Sequence, residues 1–187
     1  MSKGSSFHLR RAMLATAVAV LGWLGISDAR GADLILIQGQ GDDVEVAAAA
    51  LRMAEWKSWR RGDRWRYSLA PEWQIGVWHA TQSGINGARV INGSLTGVLT
   101  IRPSSSDRSP YYMDVGFGVH MLSHVRISDE RNFGSSFQFG EFLGLGADLG
   151  ERRQYSLAAR VQHVSNGGIK KPNPGVTFMQ LVLQYRF

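Results

Sequence analysis

A histidine and a serine two residues apart carry the clearest chemical signal in the sequence. His163 and Ser165 stand near the end of a segment, 153–165, in which apolar and polar residues alternate. Side chains two residues apart on an extended strand point to the same face. The imidazole can then take the serine proton as the hydroxyl oxygen attacks an ester carbonyl, as in a serine hydrolase. By itself the H-x-S pattern is a weak signal.

Asn166 follows the serine directly and offers a side-chain amide beside it. An amide donor at that place can stabilise the oxyanion of a tetrahedral intermediate. The alternative is a turn residue, because Gly167 and Gly168 come next and asparagine is common in turns. The residues alone leave both interpretations open.

The elements that must position these groups are strands. Alternation with a period of two recurs after Asp33 and predicts an all-β protein. In 64–78 and 111–121 the odd positions hold mainly apolar side chains, and the even positions hold mainly polar residues or glycine. The contrast is clearest in 177–187, which ends on Phe187. A soluble β-sandwich shows the same alternation.

Three features favour a membrane barrel over a sandwich. The polar face combines charged residues and glutamines with many glycines, as a narrow polar interior requires. Aromatic residues gather near the predicted strand ends, where an interfacial girdle would lie. The terminal Phe187 with Tyr185 resembles the C-terminal signature of bacterial outer-membrane barrels. We therefore predict an all-β, eight-stranded antiparallel transmembrane β-barrel of the outer membrane.

The predicted strands and their connections give the barrel an orientation. The eight strands span about 33–38, 43–58, 64–80, 88–102, 110–122, 134–149, 153–165 and 175–187. Both termini are expected on the periplasmic side, with periplasmic turns near 59–63, 103–109 and 150–152. The external loops are then expected near 39–42, 81–87, 123–133 and 166–174.

The N-terminal segment predicts export. Basic residues within 1–11 precede an uncharged apolar run over 12–26, and small residues follow at 27–29. This run of fifteen residues is shorter than the ~20 that span a bilayer, which favours a cleaved signal over a membrane anchor. We predict a signal peptide over the first 29 residues, with cleavage as late as Ala32, and the barrel over 33–187.

Composition and charge exclude several function classes. The chain has no cysteine, so it has no disulfide, thiolate metal site or cysteine nucleophile. Its net charge of +6 first suggests a nucleic-acid partner. Removal of the signal takes away three basic residues and one acidic residue, which leaves a modest +4. We therefore expect no nucleic-acid partner.

Parity places the chemical pair on the outside of the barrel. Leu157, Ala159 and Val161 occupy the odd, apolar positions of the seventh strand, and His163 and Ser165 continue that series. Polar groups on a lipid-facing surface are costly unless they bond to each other or to a substrate. The pair is therefore a functional candidate. The alternative is a hydrated, inert pair at headgroup level.

Glu141 is a candidate acidic partner for the histidine. It interrupts an otherwise apolar odd face on the preceding strand. If Leu149 pairs with Tyr155 across the turn, the register brings Glu141 beside His163. The alternative is a structural or interfacial carboxylate bonded to a neighbouring strand.

These residues bring a known family into view. The run 163–170, HVSNGGIK, followed by 172–175, PNPG, closely resembles motifs of the lipid A 3-O-deacylases of Gram-negative outer membranes. The shorter run 132–136, NFGSS, is also similar. The resemblance implies an eight-stranded barrel whose membrane-facing site hydrolyses the ester-linked acyl chain at the 3 position of lipid A. We expect the protein to use no metal and no other cofactor.

The resemblance assigns roles residue by residue. It makes His163 the general base, Ser165 the nucleophile and Asn166 an oxyanion contributor. Where the family has a glutamate that orients the histidine, this sequence has Thr177. Register places Thr177 opposite His163 if Ser165 faces Gly175 across the loop. A threonine hydroxyl can accept a hydrogen bond from imidazole, but it lacks the negative charge that stabilises imidazolium.

Two further sets of residues are candidates for binding roles. Lys170, Lys171, Arg126 and Arg131 form either a basic rim for lipid A phosphates or ordinary solvated loop charges. His79, His120 and His124 do not have the spacing of metal ligands.

The leading interpretation is an outer-membrane carboxylic ester hydrolase acting on lipid A or lipopolysaccharide. The competing one is a non-catalytic barrel, structural, adhesive or an inactive homologue, and the missing glutamate is its best support. The oligomeric state stays open, with a homodimer among the alternatives.

Overall fold

The structure is a computed structural model that describes residues 31–81, 89–104, 109–127 and 131–187. The predicted signal peptide over the first 29 residues lies outside this range. Within the described residues, no helix is long and apolar enough to cross a membrane.

Nine strands form one closed antiparallel sheet. They are β1 (Asp33–Gly41), β2 (Val44–Arg52), β3 (Lys57–Arg61), β4 (Trp65–Ala80), β5 (Arg89–Pro103), β6 (Tyr111–Leu122), β7 (Phe137–Leu149), β8 (Tyr155–Ser165) and β9 (Val176–Arg186). Strand β1 pairs with β2 and β9, and β2 pairs with β4, which closes the ring. Strands β2 and β3 both pair with β4 and lie end to end. Because β2 and β3 together occupy one position in the ring, the fold is the predicted closed eight-stranded barrel.

One predicted strand is interrupted. The sequence predicts a single strand over 43–58, but β2 ends at Arg52 and β3 begins at Lys57. Across this break, Met53 N donates to Pro71 O at 2.9 Å and Trp56 N donates to Leu69 O at 2.8 Å. The broken strand thus holds more residues than the facing part of β4, as in a β-bulge. Proline has no N–H to donate, so a regular ladder cannot pass this point.

Inward and outward faces follow the predicted parity. Outward positions carry the exposed large apolar side chains of β4 to β9, such as Ile75, Phe117, Leu145 and Leu181. Aromatic pairs lie on the outer face at the barrel end where β1 begins and β9 ends, for example Tyr155 with Tyr185, whose ring centroids are 5.2 Å apart. An apolar outer belt with aromatic residues at its margin is the surface that lipid requires.

A network of buried charges fills the barrel toward the terminal end, the end where β1 begins and β9 ends. Glu72 accepts hydrogen bonds from Arg52 at 2.7 Å and from Arg160 at 3.1 Å. Arg52 also donates to Asp114 at 2.9 Å, and Thr100 donates to the same carboxylate at 2.6 Å. Every charge in this network has an opposite partner, which offsets the cost of its burial.

The far end of the barrel, opposite the termini, is apolar inside. The sequence predicts a polar-filled interior, and this part of the prediction is wrong. Trp78 is 1% exposed and packs against Phe178 and Phe133, with ring centroids 5.2 Å and 6.3 Å away. Valines from β2, β5, β8 and β9 surround them, which are Val44, Val46, Val90, Val164 and Val176. Ile127 and Phe133, from the connection between β6 and β7, complete this cluster.

We expect Glu72→Gln to destabilise the barrel by about 3 kcal/mol, because it leaves two buried arginines without a full counter-charge. Urea-induced unfolding in detergent micelles measures the difference. Glu151→Gln, in the exposed turn between β7 and β8, is the matched control and should leave the midpoint unchanged. Equal midpoints for both variants would contradict the structural role of the network.

Candidate active site

The predicted chemical pair lies at the far end of β8 and faces outward. His163 and Ser165 are half-buried, while Gln162 and Val164 between and beside them point into the barrel and are buried. Val161, on the same face as the pair, is 43% exposed. The prediction that the odd-numbered residues of this strand face outward is therefore confirmed.

Thr177 holds one nitrogen of the imidazole. His163 pairs with Thr177 across β8 and β9, as the register argument predicts, and Nδ1 lies 2.9 Å from Thr177 Oγ1. A proton on Nδ1 would be donated to this hydroxyl and would leave Nε2 free to act as a base. The threonine thus occupies the orienting position, without a carboxylate.

Glu141 flanks the histidine on the other side. Leu149 pairs with Tyr155, and this register brings Glu141 opposite His163, as predicted. Glu141 is exposed, and it makes no hydrogen bond or ion pair with any residue in the described part of the chain. The Nδ1 atom of the ring is directed to β9, away from β7, so Glu141 neighbours the imidazole without bonding to it.

The lack of a side chain at Gly175 leaves a gap bordered by His163 and Ser165. A β-carbon built on Gly175 would lie 2.9 Å from Cε1 and 3.2 Å from Nε2 of His163, and 3.5 Å from Cβ of Ser165. The unbonded edge of the imidazole and the serine therefore border the same small gap. Gly175 also has a φ of 64°, which favours glycine. The arrangement suits proton transfer from a serine hydroxyl to Nε2.

Asn166 is built into the loop that follows the serine. Its side chain is fully buried; Nδ2 donates to Lys170 O at 2.7 Å, and Oδ1 accepts from Gly168 N at 2.9 Å. Its backbone N–H donates to Asn173 Oδ1 at 2.9 Å. These contacts support the turn interpretation of Asn166, and they fix the backbone directly after Ser165.

The conformation of this loop also depends on the segment before β7. Gly134 N donates to Pro172 O at 2.6 Å, and a β-carbon on Gly134 would lie 2.5 Å from Lys170 O. Asn166 Nδ2 reaches Ser135 Oγ at 3.4 Å. The two stretches singled out by motif in the sequence therefore form one unit.

An aromatic surface borders the serine on the outside of the barrel. Phe139 pairs with Ser165 across β7 and β8. Its ring lies 5.1 Å from that of Phe137 and 6.1 Å from that of Phe117, measured between centroids. Phe117 is 62% exposed, so the surface is open to an apolar ligand.

Two residues near the site have contacts that the sequence does not predict. Asp42 carries no signal in the sequence, and Arg131 is predicted only as a basic rim residue or a solvated loop charge. Arg131 Nη1 donates to Gly175 O at 2.8 Å, and its Nε donates to the backbone oxygen of Asp42. Arg131 therefore ties two external connections to the site. Lys170 and Lys171 are exposed, which fits both a basic rim and solvated loop charges. Only the fold brings residue 42 near 175, so no sequence signal could have found this tie.

Two other histidines of the described residues bond to partners outside the candidate site. His120 is buried inside the barrel and bonds to Asn92, with Nδ1 3.1 Å from its Nδ2. His124 Nδ1 lies 3.0 Å from Ser123 Oγ. No group of three or more His, Asp or Glu in the described ranges is placed to hold a metal ion.

Comparison with known proteins finds one family. A family model described as Lipid A 3-O-deacylase (PagL) matches residues 44–186. Lipid A deacylase PagL of Bordetella bronchiseptica is 36% identical over 127 residues, which are 67% of each chain. The protein of the same name from Pseudomonas aeruginosa is 25% identical over 169 residues, 90% of this chain and 94% of that one.

A solved structure agrees with the fold. The crystal structure of the outer membrane enzyme PagL superimposes with a TM-score of 0.69 at 25% sequence identity. The match covers 83% of this chain and 99% of that chain.

We expect Gly175→Ala to lower ester-hydrolysing activity by about 100-fold, because a methyl group there displaces the imidazole by a fraction of an ångström or more. Gly168→Ala is the matched control, since Gly168 also has positive φ, 82°, but a β-carbon there meets nothing within 4 Å. Comparable losses in the two variants would show that backbone strain, and not the gap beside His163, causes the effect.

Proposed function

The chain belongs to the lipid A 3-O-deacylase (PagL) family, and we propose that Ser165 and His163 hydrolyse the 3-O-linked acyl ester. The protein is an outer-membrane β-barrel ester hydrolase whose substrate is lipid A. The geometry of His163 and Ser165 is the observation on which this mechanism rests. An outward-facing His163, fixed by Thr177 through Nδ1, shares one gap with Ser165.

The reaction follows from these positions in two stages. Nε2 of His163 takes the proton of Ser165 as Oγ attacks the ester carbonyl carbon. The tetrahedral intermediate collapses, the C–O bond to the sugar breaks, and the 3-hydroxyl leaves with the proton from imidazolium. Water then attacks the acyl-serine with His163 again as base, which releases the fatty acid and restores Ser165. No cofactor enters either stage.

Asn166 contributes to the oxyanion site in this proposal. Its side-chain amide is engaged with Lys170 O and Ser135 Oγ, so we propose that it acts chiefly by fixing the loop. The loop leaves the Gly167 N–H, two residues after the nucleophile, without a hydrogen bond to any described residue. A backbone N–H at this place is the kind of donor that stabilises a developing oxyanion.

The substrate approaches from the membrane. The cleaved acyl chain would lie along the aromatic surface of Phe117, Phe137 and Phe139, which is apolar and exposed beside the serine. Lys170 and Lys171 are placed beyond the strand ends, where they would meet the phosphates of lipid A. A site at this level also has access to water from the outer surface.

Glu141 is proposed as a flanking anion. It lies opposite His163 on β7 and makes no bond to it, so its contribution is the attraction between its charge and imidazolium. Thr177 orients the ring, and Glu141 favours the protonated ring that forms during the reaction.

Ser165→Ala should abolish lipid A deacylation, because no other group replaces the nucleophile. Mass spectrometry of lipid A from cells expressing each variant measures the loss of one 3-hydroxyacyl group. Ser58→Ala, on the exposed strand β3 near the terminal end, is the control and should match wild type. If wild type leaves lipid A intact, the chain is an inactive homologue; if Ser165→Ala still deacylates, the nucleophile is a different residue.

Thr177→Val should slow deacylation about tenfold, because it keeps the shape of the side chain but removes the acceptor for Nδ1. Glu141→Gln should slow it only about threefold, since an exposed charge is strongly screened. Single-turnover rates in detergent micelles compare both with wild type. If neither substitution slows the reaction, both partner assignments for His163 are wrong.

A further inference from the structure

One row of side chains crosses β7, β8 and β9 at the far end of the barrel and continues into the β1–β2 turn. Glu141 on β7, His163 on β8 and Thr177 on β9 are successive cross-strand partners. The β1–β9 register pairs Gln40 with Met179 and, continued by two residues, brings Asp42 opposite Thr177. The row thus ends on a second carboxylate, beyond the threonine.

Asp42 is bonded to the backbone of that threonine. Thr177 N donates to Asp42 Oδ2 at 2.8 Å. Asp42 belongs to the tight turn between β1 and β2, where its φ is 49°. The bond joins the carboxylate to the residue that holds His163 Nδ1.

Close packing fixes the turn against β9. A β-carbon on Gly41 would lie 1.7 Å from Thr177 O, so a side chain at position 41 would push the turn away. Only glycine permits this approach. The position of Asp42 relative to Thr177 is therefore set by backbone contact as well as by the hydrogen bond.

Arg131 completes the electrostatic setting of the histidine. Its guanidinium lies 3.7 Å from Asp42 Oδ1 and is bonded to the oxygen of Gly175, the residue beside the imidazole. Charged groups of the described residues near the His163–Thr177 pair thus include Glu141 from β7, Arg131 from the β6–β7 connection and Asp42 from the β1–β2 turn. A cation on this edge disfavours imidazolium, and Asp42 offsets it.

We propose that Asp42 is a positioning residue that supplies a negative charge next to Thr177, whose own side chain is uncharged. The carboxylate fixes the Thr177 backbone, keeps Oγ1 aligned with Nδ1 and balances Arg131 as imidazolium forms. Glu141 cannot replace it in this role, because the Nδ1 edge of the ring faces β9 and β1. The inference rests on the proposed Ser/His mechanism.

Asp42→Asn tests the charge separately from the shape. The amide oxygen still accepts the Thr177 N–H, and asparagine tolerates positive φ, so the turn is retained. We expect kcat to fall about fivefold with KM unchanged, as for loss of an interaction that strengthens in the transition state. Asp43→Asn, in the same turn with the same loss of charge, is the matched control and should match wild type.

A second substitution tests whether Asp42 acts through position 177. Thr177→Glu alone brings two carboxylates side by side, and we expect no gain over wild type. Thr177→Glu in the Asp42→Asn background should restore kcat to within about twofold of wild type, because one carboxylate again serves the histidine. A purely structural role for Asp42 predicts no such rescue.

The outcomes separate this inference from the proposed mechanism. Retained deacylation by Ser165→Ala would overturn the mechanism and the inference together. Two results would overturn the inference alone, provided that Ser165→Ala is inactive. The first is a kcat of Asp42→Asn equal to that of wild type. The second is a loss of kcat on Asp42→Asn that is the same whether residue 177 is threonine or glutamate.

Discussion

The hydrogen bonds between β2 and β4 close the ladder, and in a bilayer this closure is required, because lipid offers no partner for a free backbone N–H or C=O. Once the ring is closed, no strand can slip by a single residue without turning its apolar side chains inward. Every cross-strand neighbour is then fixed. The pairing of His163 with Thr177 on one side and Glu141 on the other is one result of this constraint.

The two halves of the interior support the site differently. Toward the terminal end, arginines and carboxylates bond to one another across the barrel and make that half rigid. At the far end, Trp78 and its neighbours form an apolar cluster against which the strand ends and the segment around Phe133 pack. His163 and Ser165 lie outside this cluster, on the outer face of β8. A well-packed interior helps a lipid-facing site to keep its geometry.

In the proposed mechanism, the threonine bonded to the imidazole changes how His163 receives a negative charge. The hydroxyl preserves the direction of the ring but carries no anion, so charge must come from residues farther away. Two carboxylates lie in the same row, one on each flank of the His163–Thr177 pair, and Arg131 links one of them to the loop that carries Gly175. An arrangement of this kind ties the chemistry to the external connections of the barrel.

Alternation and motif spacing are enough to predict the barrel, the faces of its strands and the chemical pair. Alternation of side chains encodes which face each residue occupies, so the eight-stranded barrel, the outward His163 and Ser165, and the registers that bring Glu141 and Thr177 beside the histidine were all predicted and are confirmed. Three features needed the tertiary structure: the bulge before β3, the apolar far end, and the approach of Asp42 and Arg131 to the site. Each depends on contacts between segments that are not neighbours in the predicted order of strands, such as residue 42 with 177, and neither the alternation within a strand nor the register of two consecutive strands encodes such contacts.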